Sequence, residues 1–163
     1  MHVVLLIVAK YLLFVVGILC FAYWLTVPKQ EKIRLAIFGI LAGVVTLALV
    51  KISAWVYYDP RPFVSQHVPP LYPHAADNGF PSDHTVLAAL AALVVYSSSK
   101  RAGLALLGLA LLIGVARVLG HIHSPIDIIG SIAFALIGFG VATIATPPAL
   151  QHLGAQREHI PSK

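Results

Sequence analysis

The sequence predicts an all-α fold, an integral membrane bundle of about five transmembrane helices, and three observations carry that reading. Of 163 residues, 59% are hydrophobic and only 10% charged, against roughly a quarter charged in an average soluble domain. The apolar residues gather in runs long enough to cross a bilayer, which takes about 20 residues of helix. Backbone hydrogen bonding inside hydrocarbon forces such runs into helices rather than open strands. The formal charge of +5 is scattered between the runs and forms no wettable basic patch, so nucleic acid is not an expected partner. A single cysteine, Cys20, excludes an intramolecular disulfide.

The first run, 3–27, follows Met1-His2 without a basic leader and is too long for a signal core, so it reads as a retained helix. Lys10 lies within it and is expected to snorkel outward or pair inside the bundle, with no catalytic role. The second run, 33–57, carries a GxxxG at Gly39 and Gly43 and ends in the aromatic cluster Trp55, Tyr57 and Tyr58. The third, 83–99, is lined by Ala88, Ala91 and Ala92; the fourth and fifth cover 102–121 and 126–146. Residues 1–146 thus form the membrane domain and 147–163 a tail.

Loop charges predict the orientation. Lys29, Lys32 and Arg34 lie in one connection, and Lys100 and Arg101 in another. Short loops rich in Lys and Arg are cytoplasmic. Five spans put the tail, with Arg157 and Lys163, on that same side. The N-terminus, the loop 58–82 and the turn 120–125 are then expected outside the cell (inner) membrane, with the C-terminus inside.

On that outer face fall most of the ionisable residues that a membrane protein should avoid. Asp59-Pro60-Arg61-Pro62 follows the second run, Pro81-Ser82-Asp83-His84 opens the third, and Arg117, His123 and Asp127 lie between the fourth and fifth. Antiparallel packing brings these ends together. The planar donor fork of Arg61 and Arg117 suits phosphate oxygens. Lys51 adds a third cation, and the helix start at Ser82 supplies backbone N–H groups for an anion. The expected ligand is therefore a phosphorylated headgroup whose tail stays in lipid.

Phosphoryl transfer through a covalent step needs a nucleophile, a partner that orients it and an acid for the leaving oxygen. His123 can attack if Asp127, four residues on and about one turn away, holds its other ring nitrogen. His84, on a separate helix, is available to protonate the leaving group. A helix N-terminus disfavours its charged form, and a bound phosphate reverses that preference.

Singly, each residue has a plainer reading. Ser124-Pro125-Ile126-Asp127 is a helix start with Asp127 as a capping acid. Ser82 and Asp83 cap the third helix in the same way, while Arg61 and Arg117 are interfacial anchors or snorkelling side chains. Three such accidents in order at one membrane face are a poor explanation of the set. His67, His74 and His121 make a poor zinc pattern, and neither a metal nor any other cofactor is expected.

The ordered set resembles the type 2 phosphatidic acid phosphatases, or lipid phosphate phosphatases, whose pattern is Lys-x6-Arg-Pro, then Pro-Ser-Gly-His, then Ser-Arg-x5-His-x3-Asp. Here the parts read Arg61-Pro62, Pro81-Ser82-Asp83-His84, and Ala116-Arg117-x5-His123-x3-Asp127. The wording is most similar to the bacterial branch acting on undecaprenyl pyrophosphate. The resemblance implies His123 as nucleophile forming a phosphohistidine, Asp127 as its orienting partner and His84 as general acid. It implies Arg61, Ser82 and Arg117 as phosphate ligands and a mechanism without metal. Three positions depart from the pattern. Ala54 stands where the lysine falls, with Lys51 three residues earlier; Asp83 replaces the glycine and brings a negative charge to the substrate-contacting set; Ala116 replaces the serine.

The resulting expectation is an extracytoplasmic membrane phosphatase of a polyprenyl pyrophosphate or related lipid phosphate. Alternatives are a phosphatidylglycerol phosphate or phosphatidic acid phosphatase, a lipid phosphotransferase, or, in another class, a small anion transporter subunit.

Overall fold

The structure, a computed structural model, describes residues 2–146, so the predicted tail 147–163 lies outside the described residues. Six helices follow in order: α1 (His2–Thr26), α2 (Lys29–Val56), α3 (Pro62–Ser65), α4 (Asp83–Tyr96), α5 (Lys100–Leu119) and α6 (Pro125–Ala145). Among the described residues, β-pairing is limited to an isolated bridge between Pro60 and Asn78. α1, α2, α5 and α6 are long and apolar enough to cross a membrane.

α4 is the exception in length and the centre of the bundle. It packs against α1, α2, α5 and α6, and its small face of Thr85, Ala88, Ala89 and Ala92 is fully buried. Small side chains let neighbouring backbones approach closely, which drives helix association where lipid and protein are equally apolar. The run predicted over 83–99 stops as helix at Tyr96, because Ser97–Ser99 form a turn in which the Ser99 side chain caps α5 by accepting from the Ala102 N–H. Fourteen residues rise only about 21 Å at ~1.5 Å each, short of the roughly 30 Å hydrocarbon core. α4 is therefore shorter than the four helices that are long enough to cross a membrane.

The Ser97 end is pinned by polar contacts. Arg34 forms a forked pair with Glu31, at 2.8 and 2.6 Å, and donates to the Ser97 carbonyl at 3.1 Å. Both partners are buried, so Arg34, read from sequence as part of a basic loop, ties α2 to the α4–α5 turn. Tyr23 of α1 donates to the Ser98 hydroxyl at 2.9 Å.

The close approaches differ from the predicted GxxxG. A Cβ on Gly39 would only touch Val94 at 3.7 Å, and one on Gly43 would meet nothing within 4 Å. The tight contacts are Gly103 on Tyr96, Gly114 on Ile128, Gly130 on Phe80, and Gly138 on Thr46 and the Ala42 carbonyl. By contrast α1 and α2 touch little. Between them an apolar groove of about 430 Å³, lined by Phe21, Trp24, Ala36, Leu87 and Val94 among others, opens onto α4.

Gly138→Ala is therefore expected to overpack the α2–α6 contact and destabilise the fold by about 1–3 kcal/mol. Gly43→Ala should be neutral or slightly stabilising. Thermal unfolding of the two variants in one detergent checks the contrast, and equal transition temperatures would contradict this packing.

Candidate active site

The loop between α2 and α4 is organised before it reaches the site. The Asn78 side chain accepts from the backbone N–H groups of Asp59 and Phe80, both at 3.0 Å, and donates to the Tyr57 carbonyl at 2.9 Å. Gly79 N–H donates to the Asp59 carbonyl at 2.8 Å. A Cβ at Gly79 would lie 3.0 Å from an Asp127 carboxylate oxygen and 3.1 Å from the Asp59 carbonyl, so this passage has little room for a side chain. The α5–α6 turn is held from the same loop: Phe63 N–H donates to the His121 carbonyl and Leu71 N–H to the Gly120 carbonyl. His121 itself sits at φ 56°, a left-handed conformation uncommon outside glycine. That backbone reversal turns the exposed His121 side chain outward and His123 inward, where it is 2% exposed.

His123 is the hub. Its Nδ1 lies 3.1 Å from Asp127 Oδ2. Its Nε2 lies 3.1 Å from Arg61 Nη1 and 3.1 Å from Arg117 Nη2. A guanidinium can only donate and an ionised carboxylate can only accept. The ring is therefore the neutral tautomer with hydrogen on Nδ1 and its lone pair on Nε2, aimed between two cations. Burial lowers the His123 pKa from its ordinary value; the Asp127 hydrogen bond opposes this, and the charges of Arg117 and Arg61 add to the lowering.

Asp127 makes the contacts of both readings at once. As the third residue of α6 it accepts from the Ser124 N–H at 2.8 Å, capping its own helix, with the same oxygen that faces His123. Ser124 passes the restraint on, donating its hydroxyl to Asp59 Oδ2 at 2.6 Å.

The two arginines are anchored differently. Arg61 donates from Nε to Asp77 at 2.7 Å and from Nη1 to the Ile122 carbonyl at 3.1 Å. Burial would raise the Asp77 carboxyl, but the hydrogen bond and charge of Arg61 outweigh it and hold the pKa below its ordinary value. Arg117 is 2% exposed, and among the described residues no carboxylate pairs with it. Its Nη1 donates to the Ala9 carbonyl at 3.1 Å and to the Tyr72 hydroxyl at 3.0 Å, while its buried Nε has no partner. A buried charge without a counter-charge is costly. An anion beside Arg117 would offset that cost.

Ser82, the N-cap of α4, is fully buried beside this centre; its N–H reaches the Asp127 carbonyl at 3.4 Å and its hydroxyl accepts from Thr85 at 3.1 Å. His84, half-buried in the first turn of α4, makes no hydrogen bond among the described residues but lies within electrostatic reach of Arg117, His123 and His74. Asp83 points to the surface, still close enough for Arg117 to feel its charge. Lys51 is not brought to this group: it is exposed on α2 and lies in a surface hollow with Ile52, Trp55 and Val56. Position 54 is exposed as well, since the buried face of this turn belongs to Ser53.

Sequence reasoning did not assign the supporting residues Asp59, Tyr72, Asp77 and Ser124. Asp59 stands out in the sequence only as a charge beside Arg61, and Asp77 and Tyr72 carry no local signal. His74 closes the rim, its ring 6.0 Å from Tyr72 and 6.5 Å from His123. Burial and the Arg61 charge lower the His74 pKa.

A family model described as the PAP2 superfamily matches residues 32–149. The chain is 34% identical over 131 residues to the undecaprenyl-diphosphatase BcrC of Bacillus subtilis (strain 168), covering 80% of this chain and 67% of that protein. It is 31% identical over 131 residues to the bacitracin transport permease protein BcrC of Bacillus licheniformis, covering 80% and 63%. The match thus spans about two thirds of these relatives' own length.

The imidazole of His123 should stay neutral, with hydrogen on Nδ1, at pH 6.5, where an ordinary histidine is about half protonated. Nitrogen-15 NMR of histidine-labelled protein checks this; a half-protonated His123 at that pH would contradict the geometry.

Proposed function

The chain belongs to the PAP2 superfamily, and from that membership we propose that it is an integral membrane phosphatase that hydrolyses undecaprenyl pyrophosphate or a related lipid phosphate through a phosphohistidine at His123. The observation that carries the reading is the His123 Nε2 lone pair, flanked by Arg61 and Arg117 at 3.1 Å each. An imidazole presented to two cations, with no acid between them, is a nucleophile waiting at an anion site.

In the resting site the two guanidiniums donate to Nε2 and keep its lone pair occupied. An arriving phosphate is the better acceptor, because its oxygens bring negative charge and bidentate geometry that a neutral imidazole nitrogen lacks. Transferring Arg61 and Arg117 to the phosphate oxygens frees Nε2 at the moment substrate is seated. Nε2 then forms a bond to phosphorus, the bond from phosphorus to the leaving oxygen breaks, and His84 protonates that oxygen. Asp127 holds the Nδ1 hydrogen and stabilises the positive ring as charge develops. Water next attacks phosphorus with His84 accepting its proton, the P–N bond breaks, and phosphate leaves.

Arg61, Arg117 and the backbone N–H groups near Ser82 hold the three equatorial oxygens of the transferring group, where electrostatic stabilisation is most effective. The chemistry calls on no metal. Lipid entry fits the apolar groove, where Leu87, one turn beyond His84, begins a lining that continues to Val95. The basic connections support an orientation with the site on the extracytoplasmic side of the cell membrane, N-terminus out and C-terminus in.

The test is phosphate release from undecaprenyl pyrophosphate by purified protein, with acid-quenched samples examined for an acid-labile phosphoenzyme. His123→Ala should abolish both signals. His84→Ala should slow turnover roughly 10²- to 10⁴-fold, the range of general acid–base catalysis, and EDTA should change nothing. Full activity in His123→Ala, or a phosphoenzyme that persists in it, would overturn the mechanism. Phosphoryl transfer to an added acceptor lipid instead of water would identify a transferase.

A further inference from the structure

Lys10 carries the one formal charge in the 25-residue α1, and among the described residues no carboxylate pairs with it. An unpaired ammonium in an apolar span is expensive and is functional by default. Its position is fixed by its neighbour. The Ala9 carbonyl accepts from Arg117 Nη1 at 3.1 Å, which locks α1 against α5 and sets Lys10 at the level of the His123 site.

Lys10 and Arg117 also meet at one side chain. The exposed Lys10 places its Nζ between two rings, 5.4 Å from the centroid of Tyr11 and 5.7 Å from that of Tyr72, and the Tyr72 hydroxyl accepts from Arg117 at 3.0 Å. Tyr72 in turn is 6.0 Å from the ring of His74, which stands 6.5 Å from His123. Two cations thus converge on one tyrosine at the rim, and among the described residues neither is in a salt bridge. Convergence of like charges is unfavourable unless a ligand of opposite charge joins them. Arg117 faces His123 through Nη2 and the Tyr72 and Ala9 side through Nη1.

We propose that Lys10, lying against Tyr72 beside Arg117, forms a second phosphate subsite that holds the lipid-proximal phosphate of a diphosphate headgroup. This rests on the phosphatase reading above and narrows its substrate class to diphosphates. When His123 Nε2 bonds to the terminal phosphorus, the bridging P–O bond breaks and its electron pair leaves with the lipid monophosphate. His84 protonates the leaving oxygen, Lys10 offsets the negative charge that the departing monophosphate still carries, and Arg117 lies between the two phosphates.

The test measures binding without turnover. The detergent-solubilised protein is titrated calorimetrically with methylenediphosphonate, which has two phosphoryl groups and no cleavable bridge, and separately with inorganic phosphate. The unaltered protein should prefer the diphosphonate. Lys10→Met should weaken it roughly 10- to 100-fold, the loss of one charge-assisted contact, with phosphate affinity preserved, and Lys10→Arg should restore it. Unchanged diphosphonate binding in Lys10→Met would make Lys10 a headgroup anchor and overturn the proposal. Equal loss of both ligands would overturn it too, as a general effect on charge or folding. Failure of the parent reading looks different: the unaltered protein would prefer the diphosphonate yet release no phosphate from the lipid.

Discussion

The site depends on one shared acceptor. The Nε2 of His123 takes hydrogen bonds from two arginines, one of which has no carboxylate partner among the described residues. That arrangement fixes the tautomer, holds the ring neutral and leaves positive charge uncompensated in a buried place. It is stable only because every other contact restrains its parts. Asp127 grips Nδ1 while capping α6, Asp77 takes one edge of Arg61, and the Ala9 carbonyl and Tyr72 hydroxyl take Arg117. Burial strengthens each of these charge interactions, so the packing of the bundle sets how firmly the group is held.

The bundle supplies that dry setting through a short central helix. α4 reaches only part-way across, and its buried N-cap, Ser82, contacts the first turn of α6 through the Ser131 hydroxyl, which lies 3.0 Å from the Ser82 carbonyl and 2.7 Å from that of Asp127. Glycines facing Ile128 and Phe80 bring the helices close at this level. The opposite end is closed by the buried Glu31–Arg34 pair. A buried ion pair adds little net stability but fixes which partners meet, and here it joins α2 to the α4–α5 turn.

Much of this was legible in the sequence because it is local. The apolar runs report helices directly, and the spacing of four from His123 to Asp127 puts the carboxylate one turn from the ring. The capping and orienting readings of Asp127 are both visible in the sequence, and one carboxylate oxygen makes the contact that each requires. What could not be read is whatever depends on distant segments. Ser97–Ser99 look like the end of an apolar run until the cap of α5 claims them. Lys51 looks close enough to reach the site, yet helix rotation puts it on the exposed side of α2. Lys10 lies 107 positions from Arg117 in the chain, and only the packing of α1 on α5 brings them to the same tyrosine.

The central claim is that phosphate takes Arg61 and Arg117 away from His123 and so releases the nucleophile. Orthovanadate mimics the five-coordinate phosphoryl group, and a crystal structure of its complex tests the exchange directly. The account predicts vanadium bonded to His123 Nε2, with both guanidiniums moved onto vanadate oxygens and Asp127 still on Nδ1. Vanadate bound elsewhere, or bound with both arginines still donating to Nε2, would contradict it.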